Sequence, residues 1–246
     1  MICRILAHRG NTDGSNPERE NGVATTQTAL ERGWGLSIDM RRAADGRFYV
    51  SRGACAVPAG PTAAVHAALI RRFPHAPVAV HVNGRGDEPA LVAFLAAEGL
   101  LPQIFLLGTE TSESRAGGLA RRCRALNPHV RLAARANDRG ETIDRALGVE
   151  VASVVWLEEL DGPWITAADV RRLRAAGRQT YVVSSDVHDD AGGADRSRRS
   201  DRSDRSLDRA RARWAELVSY GVDGICTNYP AALEQSLADV PQAASA

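Results

Sequence analysis

Short apolar runs recur along the chain, separated by longer segments in which apolar side chains return every three or four positions. The runs fall at 5–7, 36–40, 78–82, 104–107, 130–134, 152–156, 181–184 and 224–227. Each is too short for a helix and rich in Val, Ile or Leu, which fits strands buried on both faces. The segments near 23–32, 62–72, 88–99, 114–126, 140–147, 166–176, 207–220 and 230–237 carry the helical spacing. Eight strands alternating with eight helices predict an α/β fold, a (β/α)8 TIM barrel. A further run at 48–51 follows the turn signal Asp45-Gly46 and predicts a small hairpin insertion after strand two.

Boundary residues support the parallel wiring. Thr166 three places before Asp169 predicts a helix N-cap with an acid in its first turn, and Gly177 predicts the end of that helix. Gly33 and Gly221 do the same ahead of the second and eighth strands. From 187 to 205 the pattern stops: His-Asp-Asp-Ala-Gly-Gly gives way to alternating Asp, Arg and Ser. Such a stretch buries too little to offset its ordering entropy, so a flexible insertion after strand seven is expected. On the C-terminal face it is placed either as a lid or as a solvated insertion without a role. One domain over 1–238 and a frayed tail at 239–246 complete the expected layout.

Composition narrows the classes. The 246 residues carry a net charge of +1, which steers the chain toward neither nucleic acid nor an anionic membrane. All 31 basic residues are arginine. That suits forked phosphate contacts, and it equally suits a chain-wide Ala, Arg and Gly bias. Cys3, Cys55, Cys123 and Cys226 are scattered without a C-x-x-C pair. No run approaches the ~20 apolar residues of a membrane span. Met1 leads straight into a strand, and a cytoplasmic protein is expected. Nucleotide cofactors have no support, because the glycine-rich phosphate loops are absent.

In a barrel of this kind the C-terminal strand ends share one mouth. His8, Asp39, His81, Glu110, Arg135, Trp156, Ser184, Asp186 and Asn228 occupy those ends, with Arg52 joining from the hairpin. Ionisable groups gathered in a cleft are where function concentrates.

Several of these positions stand in an ordered pattern: His8-Arg9-Gly10, then Asn16-Pro17-Glu18-Arg19-Glu20-Asn21, Asp39, Asp45-Gly46, and finally Gly224-Ile225-Cys226-Thr227-Asn228-Tyr229-Pro230. The pattern resembles the glycerophosphodiester phosphodiesterase family, of the phosphatidylinositol-specific phospholipase C-like superfamily. It departs from the family where Ser37 and His81 stand in place of metal-holding glutamates and where Arg52 stands in place of a second catalytic histidine. The resemblance implies phosphodiester hydrolysis in lipid metabolism, with His8 as acid or base and Mg²⁺ or Ca²⁺ as cofactor. Asp39 and His81 would be the remaining metal ligands, an incomplete set for a hard ion. Arg9 and Arg52, with Arg135, would clamp a phosphate; at neutral pH an arginine cannot serve as a base. His66 and His188 are the other histidines able to take over the missing role. Glu20 is either an acceptor that holds Arg9 or His8, or a first-turn helix acid. With Arg135, Trp156 and Asn228 it completes the expected substrate contacts, Trp156 as an apolar wall or a core aromatic. The expected partner is a small phosphate-containing molecule. Two other outcomes remain: a catalytically inactive binding protein on the same scaffold, and a metal-independent lyase or transferase using His8 alone. The sequence does not set the oligomeric state.

Overall fold

The structure, a computed structural model, describes residues 3–51, 60–82, 86–108, 115–189 and 199–238, with side chains outside 115–119, 188–189 and 199–206. The chain runs β1 (Arg4–His8), α1 (Val23–Glu31), β2 (Gly35–Arg42), β3 (Phe48–Val50), α2 (Ala63–Arg71), β4 (Val78–Val82), α3 (Glu88–Ala97) and β5 (Ile104–Gly108). It continues through α4 (Arg115–Leu126), β6 (Arg131–Asn137), α5 (Ile143–Leu147), β7 (Val154–Glu158), α6 (Ala167–Ala175) and β8 (Gln179–Val183). The last elements are α7 (Asp186–Asp189), α8 (Arg199–Tyr220), β9 (Gly224–Thr227) and α9 (Pro230–Ala238).

Eight parallel strands close into a ring in the order β1-β9-β8-β7-β6-β5-β4-β2, with β1 and β2 pairing to complete it. The short β3 lies outside the ring, antiparallel to the end of β2 through Met40↔Val50. This is the expected barrel with its hairpin insertion.

Strand alternation decides what lies inside the ring. Leu6, Ala79, Phe105, Leu107, Val154, Trp156, Tyr181, Val183 and Cys226 pack there as one buried core. The opposite faces of the same strands, including Leu36, Val80, Leu106, Val155 and Ile225, pack against the helices. Burying one such side chain contributes roughly 1.5–3 kcal/mol, so the ring is closed by its own filling. Gly224 makes room for that filling: a Cβ there would stand 2.6 Å from Cε1 of Tyr181.

The helix signals are reproduced. Thr166 and Asp169 form a reciprocal capping box at the start of α6, and Gly177 follows that helix with a φ of 71°. The region expected as a loop differs. A single turn, α7, occupies its start, and α8 begins at Arg199 rather than near 207. The alternating Asp, Arg and Ser that carry no apolar residue still suit a helical extension once a packed helix follows, because propagation costs less than nucleation. Residues 190–198 and 239–246 lie outside the described residues.

The packed part of α8 is anchored by polar contacts. Arg213 donates to the fully buried carboxylate of Glu159 through Nε (3.1 Å) and Nη2 (2.5 Å), and to the carbonyl of Ile165. Trp214, also buried, donates to Ser184 Oγ at 2.8 Å. Among the described residues no helix is long and apolar enough to cross a membrane.

Candidate active site

The mouth is built where β1 and β2 end. His8 closes β1 beside Ser37 of β2, and Asp39, two residues further on and so on the same face, pairs in register with His81 of β4. His8, Asp39 and His81 therefore meet at one end of the ring, as expected. Immediately after β1 the chain turns sharply. Arg9 adopts φ 53°, its N–H donating to the Ser37 carbonyl at 2.7 Å and its carbonyl accepting from Asn21 N–H at 2.8 Å. A left-handed arginine costs energy and persists where surrounding bonds hold it. Here the turn aims the guanidinium back over the mouth.

Arg9 is bound to two carboxylates, Asp39 (Nε–Oδ2, 3.2 Å) and Glu20 (Nη1–Oε2, 2.9 Å). Burial works to raise the Glu20 carboxyl, but hydrogen bonds from Arg9, Asn11 and Ser15 outweigh it and hold the group below the ordinary carboxylate range. Of the two readings of Glu20, the acceptor that holds Arg9 is the observed one.

His8 is partly buried, its Nδ1 2.9 Å from Asn228 Oδ1. Nε2 makes no hydrogen bond to a described residue. Burial and the neighbouring Arg9 charge lower the imidazole to about 4, against the raising effect of the Asn228 hydrogen bond. His8 is thus neutral at pH 7. His81 is also lowered to about 4, by burial above all, with Asp39 opposing. Its Nε2 lies 3.1 Å from Ser37 Oγ, and its ring meets Trp156 edge-on at 5.8 Å between centroids.

Across the ring, β6 and β7 end later than the apolar runs predict. Arg135 on β6 is tied to Glu141 (2.6 Å) and faces Glu158 (3.6 Å). Because β7 extends to Glu158, in register with Val183 of β8, the rim residue of that strand is Glu158. Trp156 sits one layer below it, 1% exposed, against Phe105 and His81. Its observed place is therefore the core position, with almost no surface to offer a ligand. Its indole N–H lies close enough to Glu158 to stabilise the carboxylate, though without a well-formed hydrogen bond among the described residues. Burial raises the Glu158 carboxyl, against the lowering effect of Arg135. Glu158 is not legible as a site residue in the sequence, because the apolar run stops before it. The register of the neighbouring strands, which fixes the rim, is invisible in a single run.

Asn228 is 1% exposed and bonded to His8 and Asn11, so it lies beneath the mouth as a support. Asp186 accepts from Asn228 N–H (2.8 Å) and Thr227 Oγ1 (3.0 Å). Arg52 and Glu110 lie outside the described residues, as does the side chain of His188. His66 is away from the mouth, buried between α1 and α2 with Nδ1 3.2 Å from Thr26 Oγ1.

Among the described residues the Mg²⁺ or Ca²⁺ site that the resemblance implies does not assemble. Such an ion needs about six oxygen ligands. Among the described residues no three His, Cys, Asp or Glu side chains gather closely enough to hold one. Asp39 is engaged by Arg9, and His81 by Ser37. The donor set does not fit a hard divalent cation.

No family model matches the chain, and no curated protein matches it in sequence. Its fold does have neighbours. A protein assigned as a glycerophosphodiester phosphodiesterase from Galdieria sulphuraria superposes with TM-score 0.72 at 16% identity, covering 97% of this chain and 99% of the other. A glycerophosphoryl diester phosphodiesterase from Parabacteroides distasonis gives 0.67 at 15% identity, covering 99% and 89%. An Oleispira antarctica phosphodiesterase, solved with its product sn-glycerol-3-phosphate, gives 0.64 at 14% identity, covering 97% and 98%. The chain has the barrel of the glycerophosphodiester phosphodiesterase structures, over nearly its whole length. At these identities the likeness establishes the fold, and chemistry must be argued from the mouth.

Proposed function

We propose that the mouth binds a small phosphate diester and that His8 carries the proton in its cleavage, without a carboxylate-held divalent ion. The observation that supports this reading is the His8 imidazole at the C-terminal end of the ring, neutral at pH 7, bonded at Nδ1 and, among the described residues, without a hydrogen bond at Nε2. The substrate class is taken from the barrel's neighbours, one of which holds sn-glycerol-3-phosphate.

In this reading a water oxygen attacks phosphorus and its proton passes to His8 Nε2. The bond from phosphorus to the leaving alcohol breaks, and that alcohol oxygen takes a proton from the Glu158 carboxyl. Two groups whose environments push their pKa values apart, His8 down and Glu158 up, suit base and acid respectively. A bound phosphate adds negative charge beside His8, which eases its protonation. Arg9 holds the anion only in competition with Asp39 and Glu20. Arg52 is the remaining candidate clamp.

A second reading is a binding protein that no longer turns substrate over. It is favoured by the carboxylate partners of Arg9 and Arg135, which occupy the guanidinium groups a transition state would need. The separating experiment is turnover of glycerophosphocholine and bis-p-nitrophenyl phosphate, set beside calorimetric binding of sn-glycerol-3-phosphate. Turnover supports the first reading, and binding alone supports the second. A cyclic phosphate product, formed by attack of the substrate's own hydroxyl, would instead mark a lyase.

A further inference from the structure

The support beneath His8 has a direction. Asn11 Oδ1 accepts the N–H of Asn16 at 3.2 Å, and a backbone N–H can only donate. The amide nitrogen of Asn11 is therefore turned the other way, reaching Glu20 Oε1 at 3.2 Å and Asn228 Oδ1 at 2.9 Å. Asn228 receives that donation on its oxygen, while its Nδ2 points to the carbonyl of Asp186 at 3.5 Å. The backbone carrying Asn228 is fixed in turn by Asp186 Oδ2, which accepts its N–H and the hydroxyl of Thr227. Every member of this chain has one sense, and it ends with an amide oxygen 2.9 Å from His8 Nδ1.

An oxygen at that distance makes a bond only with a protonated nitrogen. A bare Nδ1 would set two lone pairs against each other in a buried place, at the cost of an unsatisfied polar contact. The second nitrogen of a neutral imidazole then carries no proton.

We propose that Asn228 is a positioning residue: oriented by Asn11 and Asp186, it fixes His8 as the Nδ1–H tautomer and delivers a bare Nε2 to the mouth. For its catalytic consequence this rests on His8 being the proton-transfer group; the tautomer itself does not. The arrangement follows the general rule that the bond at one imidazole nitrogen sets what the other can do. It also assigns Asn228, expected from the sequence to touch substrate, a place behind the histidine.

Long-range ¹H–¹⁵N NMR of the full chain at pH 7 tests it, with the His8 ring assigned by its loss in His8→Gln. The wild type is expected to show a protonated Nδ1 and a bare Nε2. Asn228→Ala is expected to lose that preference, and Asn228→Asp, which keeps an oxygen on Nδ1, to retain it. A wild-type His8 with its proton on Nε2 overturns the proposal, even where Asn228→Ala does not fold. So does an Nδ1–H tautomer unchanged in a folded Asn228→Ala. If the protein turns over a phosphate diester, Asn228→Ala lowers kcat by about 10²-fold with KM little changed, as expected for a lost acid–base contribution. Absence of turnover in the wild type sinks the proposed function and leaves the tautomer result standing.

Discussion

Ser37 Oγ stands 3.1 Å from His81 Nε2, so the two positions where the resemblance places metal-holding glutamates close on one another as a neutral pair. An internal hydrogen bond stands where the resemblance implies two carboxylates, and Asp39 pairs with Arg9. The two positions are thus coupled. Restoring either glutamate alone would leave its carboxylate facing the other's replacement.

This coupling predicts the behaviour of a double variant. Ser37→Glu with His81→Glu places two carboxylates beside Asp39 and creates affinity for Mg²⁺ or Ca²⁺. The variant's thermal midpoint should rise with added ion, as for any ligand that binds only the folded state. The wild type should show no such shift. Calorimetric titration with each ion reads the same affinity directly, and equal binding by wild type and variant would contradict the account of the metal position.

Glu158 offers a separate test. If its raised carboxyl supplies the proton to the leaving alcohol, Glu158→Gln lowers kcat/KM by about 10²–10⁴-fold. The alkaline side of the pH profile should flatten, because the group whose ionisation ends activity is no longer present. With a p-nitrophenyl ester, whose leaving group needs little protonation, the loss should be much smaller. Equal losses on both substrates would remove Glu158 from that role.

Acid sensitivity follows from buried histidine. Burial lowers His66 from 6.5 to about 4 in the folded state. As pH falls below 6.5 the unfolded chain takes up a proton and the folded chain does not, so stability is full above 6.5 and declines down to about 4. His8 and His81 act in the same window. Each group contributes on the order of 3 kcal/mol to the decline. Urea unfolding across this range should show it, with a shallower slope in His66→Gln. An unchanged slope would mean His66 titrates normally.

The Arg213–Glu159 pair predicts a large stability effect away from the mouth. Glu159 is fully buried, its carboxylate also accepting the N–H groups of Trp164 and Ile165. Glu159→Ala takes the buried carboxylate from Arg213, leaving it only the exposed carboxylate of Glu216 (Nη1–Oε2, 2.5 Å), and should cost about 3 kcal/mol in urea unfolding. Glu159→Leu combined with Arg213→Met should recover much of that loss, since an apolar pair avoids the desolvation of both charges. Failure of the double variant to improve on Glu159→Ala would show that the backbone contacts of Glu159 dominate.

The sequence carries the ring more clearly than the mouth. Runs such as 78–82 and 104–107 are apolar because their strands are covered on both sides, and that is a local property. His8 is legible because it follows the run 5–7, and Asp39 because a carboxylate interrupts the run 36–40, each beside the motif residues. Glu158 is not, since the end of β7 is set by pairing with β6 and β8 rather than by its own composition. The fate of Arg9 and Arg135 is hidden for a related reason: a guanidinium free for phosphate and one held by Glu20 or Glu141 are the same letter. The start of α8 is obscured because residues 199–206 include no apolar residue, and helical backbone there continues into the packed part containing Arg213 and Trp214.

The central claim is that His8 moves a proton in phosphate-diester cleavage without a bound divalent ion. Hydrolysis of glycerophosphocholine and bis-p-nitrophenyl phosphate in the presence of EDTA, by the wild type and by a folded His8→Ala, tests it most directly. The account predicts turnover that EDTA leaves unchanged and that His8→Ala reduces by at least about 10²-fold. Turnover abolished by EDTA and restored by Mg²⁺ or Ca²⁺, or turnover that survives His8→Ala, would contradict it.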